Sequence, residues 1–255
     1  MSILFDLMTP ASFALALAVV LVAGTVKGMV GFAMPMIMIS GLGIFLPPEI
    51  ALAGLILPTV ATNGFQALRH GRAAAVESIK RFRVFLLVGL VFLLSSAQLV
   101  RFLDPQTMLL LLGVPVSIFA LIQLFGVRMT LAAPSQKIEA GVGAFAGFIG
   151  GMSGVWGPPT VLYLTALNTP KADQMRVQGV IYGMGAVALV IAHLGSGVLN
   201  RDSIPFSALM IVPALVGMWI GGKLQDRIDQ TTFRKITLAV LLVAGLNLVR
   251  RGLGL

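Results

Sequence analysis

Apolar residues run along this chain in long blocks, near residues 11 to 46, 50 to 68, 84 to 100, 106 to 125, 138 to 168, 177 to 197, 205 to 222 and 236 to 249, with polar residues gathered between them. Neither the alternation of a half-buried strand nor the one-sided stripe of a surface helix fits such blocks, whereas a bilayer-spanning helix needs about 20 mostly apolar residues. The pattern predicts an all-α polytopic membrane protein with eight hydropathy segments. Two blocks, the first and the fifth, are too long for one crossing. Each carries a cluster of helix breakers at its middle: Gly28, Gly31 and Pro35 in one, Gly150, Gly151, Gly154, Gly157, Pro158 and Pro159 in the other. Proline removes an amide donor and clashes with the preceding turn, so the clusters mark places where helices break. If each long block crosses twice, the eight segments make ten crossings.

The clusters belong to an internal repeat. At an offset of 123 residues, Ala23, Gly24, Gly28, Met29, Gly31, Pro35 and Pro47 fall on Ala146, Gly147, Gly151, Met152, Gly154, Pro158 and Pro170. At an offset of 125, Ser78, Asp104 and Thr107 fall on Ser203, Asp229 and Thr232. The chain therefore divides into two homologous transmembrane halves, 1–127 and 128–255, forming one integral membrane unit. Loop charge bears on their relative direction. With eight crossings, Lys and Arg number 10 on one side and 7 on the other, Lys27 left out; with ten crossings the split is 13 against 4. Equivalent loops of the two halves also carry opposite charge, five basic residues at 69–83 against one at 195–205, and one near 101 against four at 223–235. Opposite loop charge is what an inverted repeat produces.

Composition narrows the class further. Of 255 residues, 58% are hydrophobic and 11% charged, against roughly 25% charged in a soluble domain. A net charge of +9 suggests nucleic acid only until the basic residues are located, in short loops where membrane orientation explains them. The first apolar run lacks a basic leader and a hydrophilic domain after it, so it reads as a membrane helix, not a cleaved signal. Cysteine is absent, which removes disulfides, thiolate metal sites and a Cys nucleophile. With His70 and His193 as its histidines and no paired carboxylates within the apolar blocks, the chain offers no metal or acid–base centre, and no enzyme activity or cofactor is expected. Met29, Met34, Met36, Met38 and Met152 invite a Cu(I) reading, but alternating thioethers do not share a helix face, and packing accounts for them better. No Walker A motif occurs, so any transport is secondary unless a partner supplies the energy.

The candidate chemistry gathers at the two breaks. Gly24 with Gly28 and Gly147 with Gly151 are spaced for close helix packing. The alternative reading is that Gly28–Pro35 and Gly151–Pro159, Ser153 and Gly154 included, unwind two helices and free backbone N–H groups to hold an anion. Paired broken helices in two halves mark a transporter's substrate site. Lys27 stands one residue before the first break, where its repeat mate is Gly150. A lysine at membrane depth costs about 2.5 to 3.5 kcal/mol on insertion scales, so it either serves a function or snorkels to an interface. Arg176, whose repeat mate is Ala53, offers a planar fork suited to oxyanions, or is one more basic loop residue. Asn63, Gln66 and Gln178 can bind substrate or join helices. Trp156 and Tyr163 flank the second break as possible cavity walls. His193 either exchanges protons near neutral pH or is hydrogen-bonded within the bundle.

The repeated glycine motif followed by proline, the Pro-Pro-Glu-Ile-Ala segment at 47–51, the Gly-Pro-Pro of the second half and Arg176-Val177-Gln178 together resemble the TauE/SafE family, the sulfite exporters of bacterial inner membranes. The likeness spans nearly the whole chain, though the first-half motif, Gly-Met-Val-Gly-Phe-Ala-Met-Pro, has fewer glycines than the family's usual run. The resemblance implies a multi-pass inner-membrane secondary transporter whose partners are the bilayer and a small anion such as sulfite or a sulfonate, not nucleic acid. Another small organic anion, or a non-transporting helical scaffold, are the alternatives.

Overall fold

In a computed structural model, residues 9–97, 105–127, 131, 135–153, 157–195 and 197–255 are described, and among them every regular element is helical. The helices are α1 (Pro10–Val30), α2 (Met34–Leu42), α3 (Pro48–Leu68), α4 (Arg72–Arg81), α5 (Arg83–Ala97), α6 (Pro105–Leu124), α7 (Gln136–Ser153), α8 (Gly157–Ala166), α9 (Lys171–Gly195), α10 (Ser203–Leu209), α11 (Ile211–Arg227) and α12 (Gln230–Gly252). Among the described residues five stretches, Pro10–Val30, Ile50–Leu68, Lys171–Gly195, Ser203–Arg227 and Gln230–Gly252, are long and apolar enough to cross a bilayer. Their outward faces carry Val187, Ile191, Val212 and Val243, each more than half exposed, as lipid-facing helices require and water-facing ones do not. The protein is an all-α polytopic membrane protein.

The first long apolar block divides where its glycines and proline lie, and the second is described up to Ser153 and again from Gly157. α1 starts conventionally, with the Thr9 hydroxyl accepting from the Ser12 amide at 3.2 Å and Pro10 in the first turn, where no intrahelical donor is lost. It ends on Gly31, left-handed at φ 89°, whose N–H donates to the Lys27 carbonyl at 2.7 Å. Pro35 lies in the first turn of α2 and so opens a new helix, and Pro158 is the second described residue of α8. The unwound stretch is thus Gly31–Ala33, and Gly28 remains helical. Two further interruptions are not marked by glycine. The Ser207 hydroxyl inserts into the ladder of α3, donating to the Ala53 carbonyl at 2.5 Å and accepting from the Leu57 amide at 3.2 Å, one residue before Pro58. Ser203–Arg227 is interrupted at Met210, three residues before Pro213. The basic loop at 69–83 contains α4, which carries Arg72, Lys80 and Arg81.

The chain forms two compact units, residues 1–71 with 175–229 and residues 72–174 with 230–255. Each takes helices from both halves of the sequence. In unit 1, α1 lies against α11 backbone to backbone: a Cβ on Gly24 or Gly28 would collide with the Ala214 or Met218 carbonyl, and one on Gly217 or Gly221 with the Leu21 or Thr25 carbonyl. Small residues four apart on both helices permit this approach, which gives dispersion contact where the bilayer supplies no hydrophobic drive. Ala16, Val20, Met34, Met38, Leu42, Phe206 and Met210 pack beneath them as one buried cluster. Unit 2 repeats the device, with Gly143 and Gly147 of α7 against the Phe85 and Gly89 carbonyls of α5. There Glu139, a buried carboxylate, accepts the Phe85 amide at 3.0 Å in the first turn of α5, an orphan donor of a helix start.

Element bounds recur along the chain. Shifting Met34–Leu42 by 123 residues gives 157–165, against Gly157–Ala166, and shifting Pro48–Leu68 gives 171–191, against Lys171–Gly195. Pro105–Leu124 shifted by 125 gives 230–249, against Gln230–Gly252.

Candidate functional site

The break of unit 1 is built from three helices. Lys27, in the last turn of α1, is 1% exposed, and its ammonium donates to Asn63 Oδ1 on α3. Burial of the whole side chain rules out snorkelling. Among the described residues no carboxylate pairs with this ammonium, so one neutral acceptor is what replaces its hydration. One turn further along α3, Gln66 donates its amide to the Gly31 carbonyl at 3.1 Å and to the Met175 carbonyl at 2.7 Å. That double bond ties the unwound segment to the start of α9 and satisfies a carbonyl that the helix end releases. α9 comes this close because Gly179 lies against the backbone of Gln66 and Ala67.

Gln178 completes the cluster. It is fully buried, its Oε1 lies where a Cβ on Gly31 would have to go, and neither of its amide atoms has a hydrogen-bond partner. Asn63 Nδ2 and Gln66 Oε1 are likewise buried without partners. The Phe32, Ala33 and Met34 amides make no hydrogen bond among the described residues, as expected at a fresh helix start. Ala33 is held left-handed at φ 72°, a conformation costing a non-glycine residue roughly 1–2 kcal/mol. The result is a buried polar cluster beside an unwound backbone, with an ammonium, two unpartnered carboxamide NH₂ groups and two unpartnered carboxamide oxygens, where buried polar groups normally find partners. Its donors suit an anion.

Lys27, Gly31, Asn63 and Gln178 therefore meet, with Gln66, around one break. Gly28 packs on the Met218 carbonyl, and Pro35 directs the following helix. Arg176 is half-buried on α9 between Met175 and Val177 and has polar interactions of its own. His193 is in the last turn of α9, fifteen residues beyond Gln178 and so about 22 Å along the axis, remote from the break. In unit 2, Gly151 and Ser153 fall in the last turn of α7, and Pro158 is buried in the first turn of α8. Gly154 and Trp156 lie outside the described residues. Tyr163, next to that break, stacks on Phe85 at 6.4 Å between ring centroids, which gives it a packing partner. Gln66 shares a helix face with Asn63, three residues away, and binds the backbone on both sides of the cluster.

An uncompensated ammonium and unpartnered amides thus lie buried beside a broken helix in an all-α polytopic chain, the kind of place where membrane transporters hold their substrates. The family model for the sulfite exporter TauE/SafE matches residues 16–248, and the chain belongs to that family. No curated protein and no solved structure matches it.

Proposed function

We propose that the protein is a secondary transporter that exports sulfite or small organosulfonates across the bacterial inner membrane, and that the Gly31 break of unit 1 is its anion site. The observation that carries this reading is the buried Lys27 ammonium, held by Asn63 and lacking a counter-ion among the described residues. An isolated buried charge is costly, and an entering anion supplies the missing partner. Gln178 and Asn63 would then donate to its oxygens, and Arg176 would attract it towards the start of α9. The matching break of unit 2, with Gly151, Ser153, Gly154, Trp156 and Pro158, is assigned the equivalent role by repeat position.

The same reading takes the halves 1–127 and 128–255 as inverted repeats with ten crossings. The recurrence of element bounds supports the repeat. The ion pair of Arg69 with Asp226, at 2.7 Å, supports the crossing number: it joins loops that an eight-crossing alternation would put on opposite faces of the membrane. The test is flux into proteoliposomes, comparing sulfite, sulfate, short sulfonates and small carboxylates. Saturable flux that favours sulfur oxyanions is expected. Equal flux of every anion, or none from folded protein, would reject the substrate assignment.

A further inference from the structure

Unit 2 holds a second polar cluster, which the helix breaks do not use. α8 ends on Thr165 and Ala166, and the chain turns through Asn168, left-handed at φ 51°. Gln230, the first residue of α12, latches this turn: its Nε2 donates to the Thr169 carbonyl at 3.1 Å and its Oε1 accepts the Lys171 amide at 3.0 Å. Between the turn and α12 lies a small cavity, open on one side and lined by Thr165, Thr169, Gln174, Phe233, Arg234 and Thr237 among others.

Three of these lining side chains are buried and unpartnered: Thr165 Oγ1, Gln174 Nε2 and Thr237 Oγ1, on residues 4%, 3% and 0% exposed. They come from three helices, so no local backbone habit explains their convergence. A guanidinium stands beside them, since Arg234 is steadied by donating to Gln123 Oε1 on α6. Among the described residues no carboxylate lines the cavity. Two hydroxyls, a carboxamide NH₂ and a guanidinium can all donate at once, to a ligand with several acceptor oxygens and negative charge. We infer that this cavity is a second oxyanion site, which takes a sulfate-, sulfite- or phosphate-like group. A free anion and a phospholipid headgroup present the same chemistry there.

The test uses the full chain in phosphatidylcholine nanodiscs and reads thermal unfolding with inorganic sulfate or phosphate, against chloride at equal ionic strength. A second set of discs contains phosphatidylglycerol. Thr237→Val and Gln174→Leu each remove an unpartnered donor without stranding another group, so both variants should fold at least as well as the parent. The parent should show a saturable rise in Tm with sulfate or phosphate that chloride does not give. Measured in the Lys27→Gln background, so that the break of unit 1 does not contribute, the rise should persist, and both variants should abolish it. A rise seen with phosphatidylglycerol alone, and lost in both variants, assigns the site to a headgroup. No rise from either source, or a rise that both variants retain, overturns the proposal.

Discussion

Replacing Lys27 and Asn63 together, Lys27→Met with Asn63→Leu, separates the site's contribution to function from its contribution to stability. The buried ammonium carries an insertion cost of about 2.5–3.5 kcal/mol, against one hydrogen bond to a neutral acceptor. Lys27→Met alone removes that cost but leaves Asn63 with both amide atoms unpartnered, which takes back about 1–3 kcal/mol. The double variant strands nothing and keeps near-parental volume, so it should be more stable than the parent by roughly 2–3 kcal/mol. For a chain of this size that is a Tm increase of roughly 4–12 °C, at about 2–4 °C per kcal/mol. The assay is thermal unfolding in detergent without added anion, with anion flux measured on the same preparation. Higher Tm with lost flux is the expected pair of results. A double variant less stable than the parent would refute the reasoning, because the ammonium and its partner would then be a net structural asset.

Other positions give sharper local expectations. Gly31→Ala must hold an L side chain at φ 89° and push aside Gln178, so it should cost at least about 1–2 kcal/mol and depress flux. Ala33→Gly relieves the left-handed strain, offset by greater freedom of the unfolded chain, and should change stability by less than about 1 kcal/mol in thermal unfolding. Gly28→Val in unit 1 and Gly147→Val in unit 2 drive a side chain into the Met218 or Gly89 carbonyl; both should abolish monodisperse protein in size-exclusion chromatography. Arg69→Gln breaks an ion pair whose partners are 27% and 60% exposed, and should cost no more than about 1 kcal/mol in the same unfolding assay.

The class of fold was legible because its signals are local: block length gives spanning helices, and Gly-Pro clusters give the breaks. The extent of the breaks was less legible. Gly28 stays helical because the left-handed turn falls on Gly31, and the spacing of glycines alone does not choose between them. The Ser207 insertion into α3 depends on residues 150 or more positions apart, and no window along the chain reveals it. The site divides in the same way. Lys27 stood out because a lysine in an apolar block is costly, whereas Gln66 and Gln178 resemble any polar residue that joins helices until their partners are known. The pocket of unit 2 left no sequence signal, since threonines and a glutamine near a basic loop are unremarked until three helices bring them together.

The most direct test of the central claim is saturable sulfite flux in proteoliposomes carrying Lys27→Gln protein of parental monodispersity, beside parent and Lys27→Arg. Loss of saturable flux in Lys27→Gln, with part of it kept in Lys27→Arg, is the predicted result. Parental flux in Lys27→Gln would contradict the account, because an anion site at the Gly31 break depends on that buried charge.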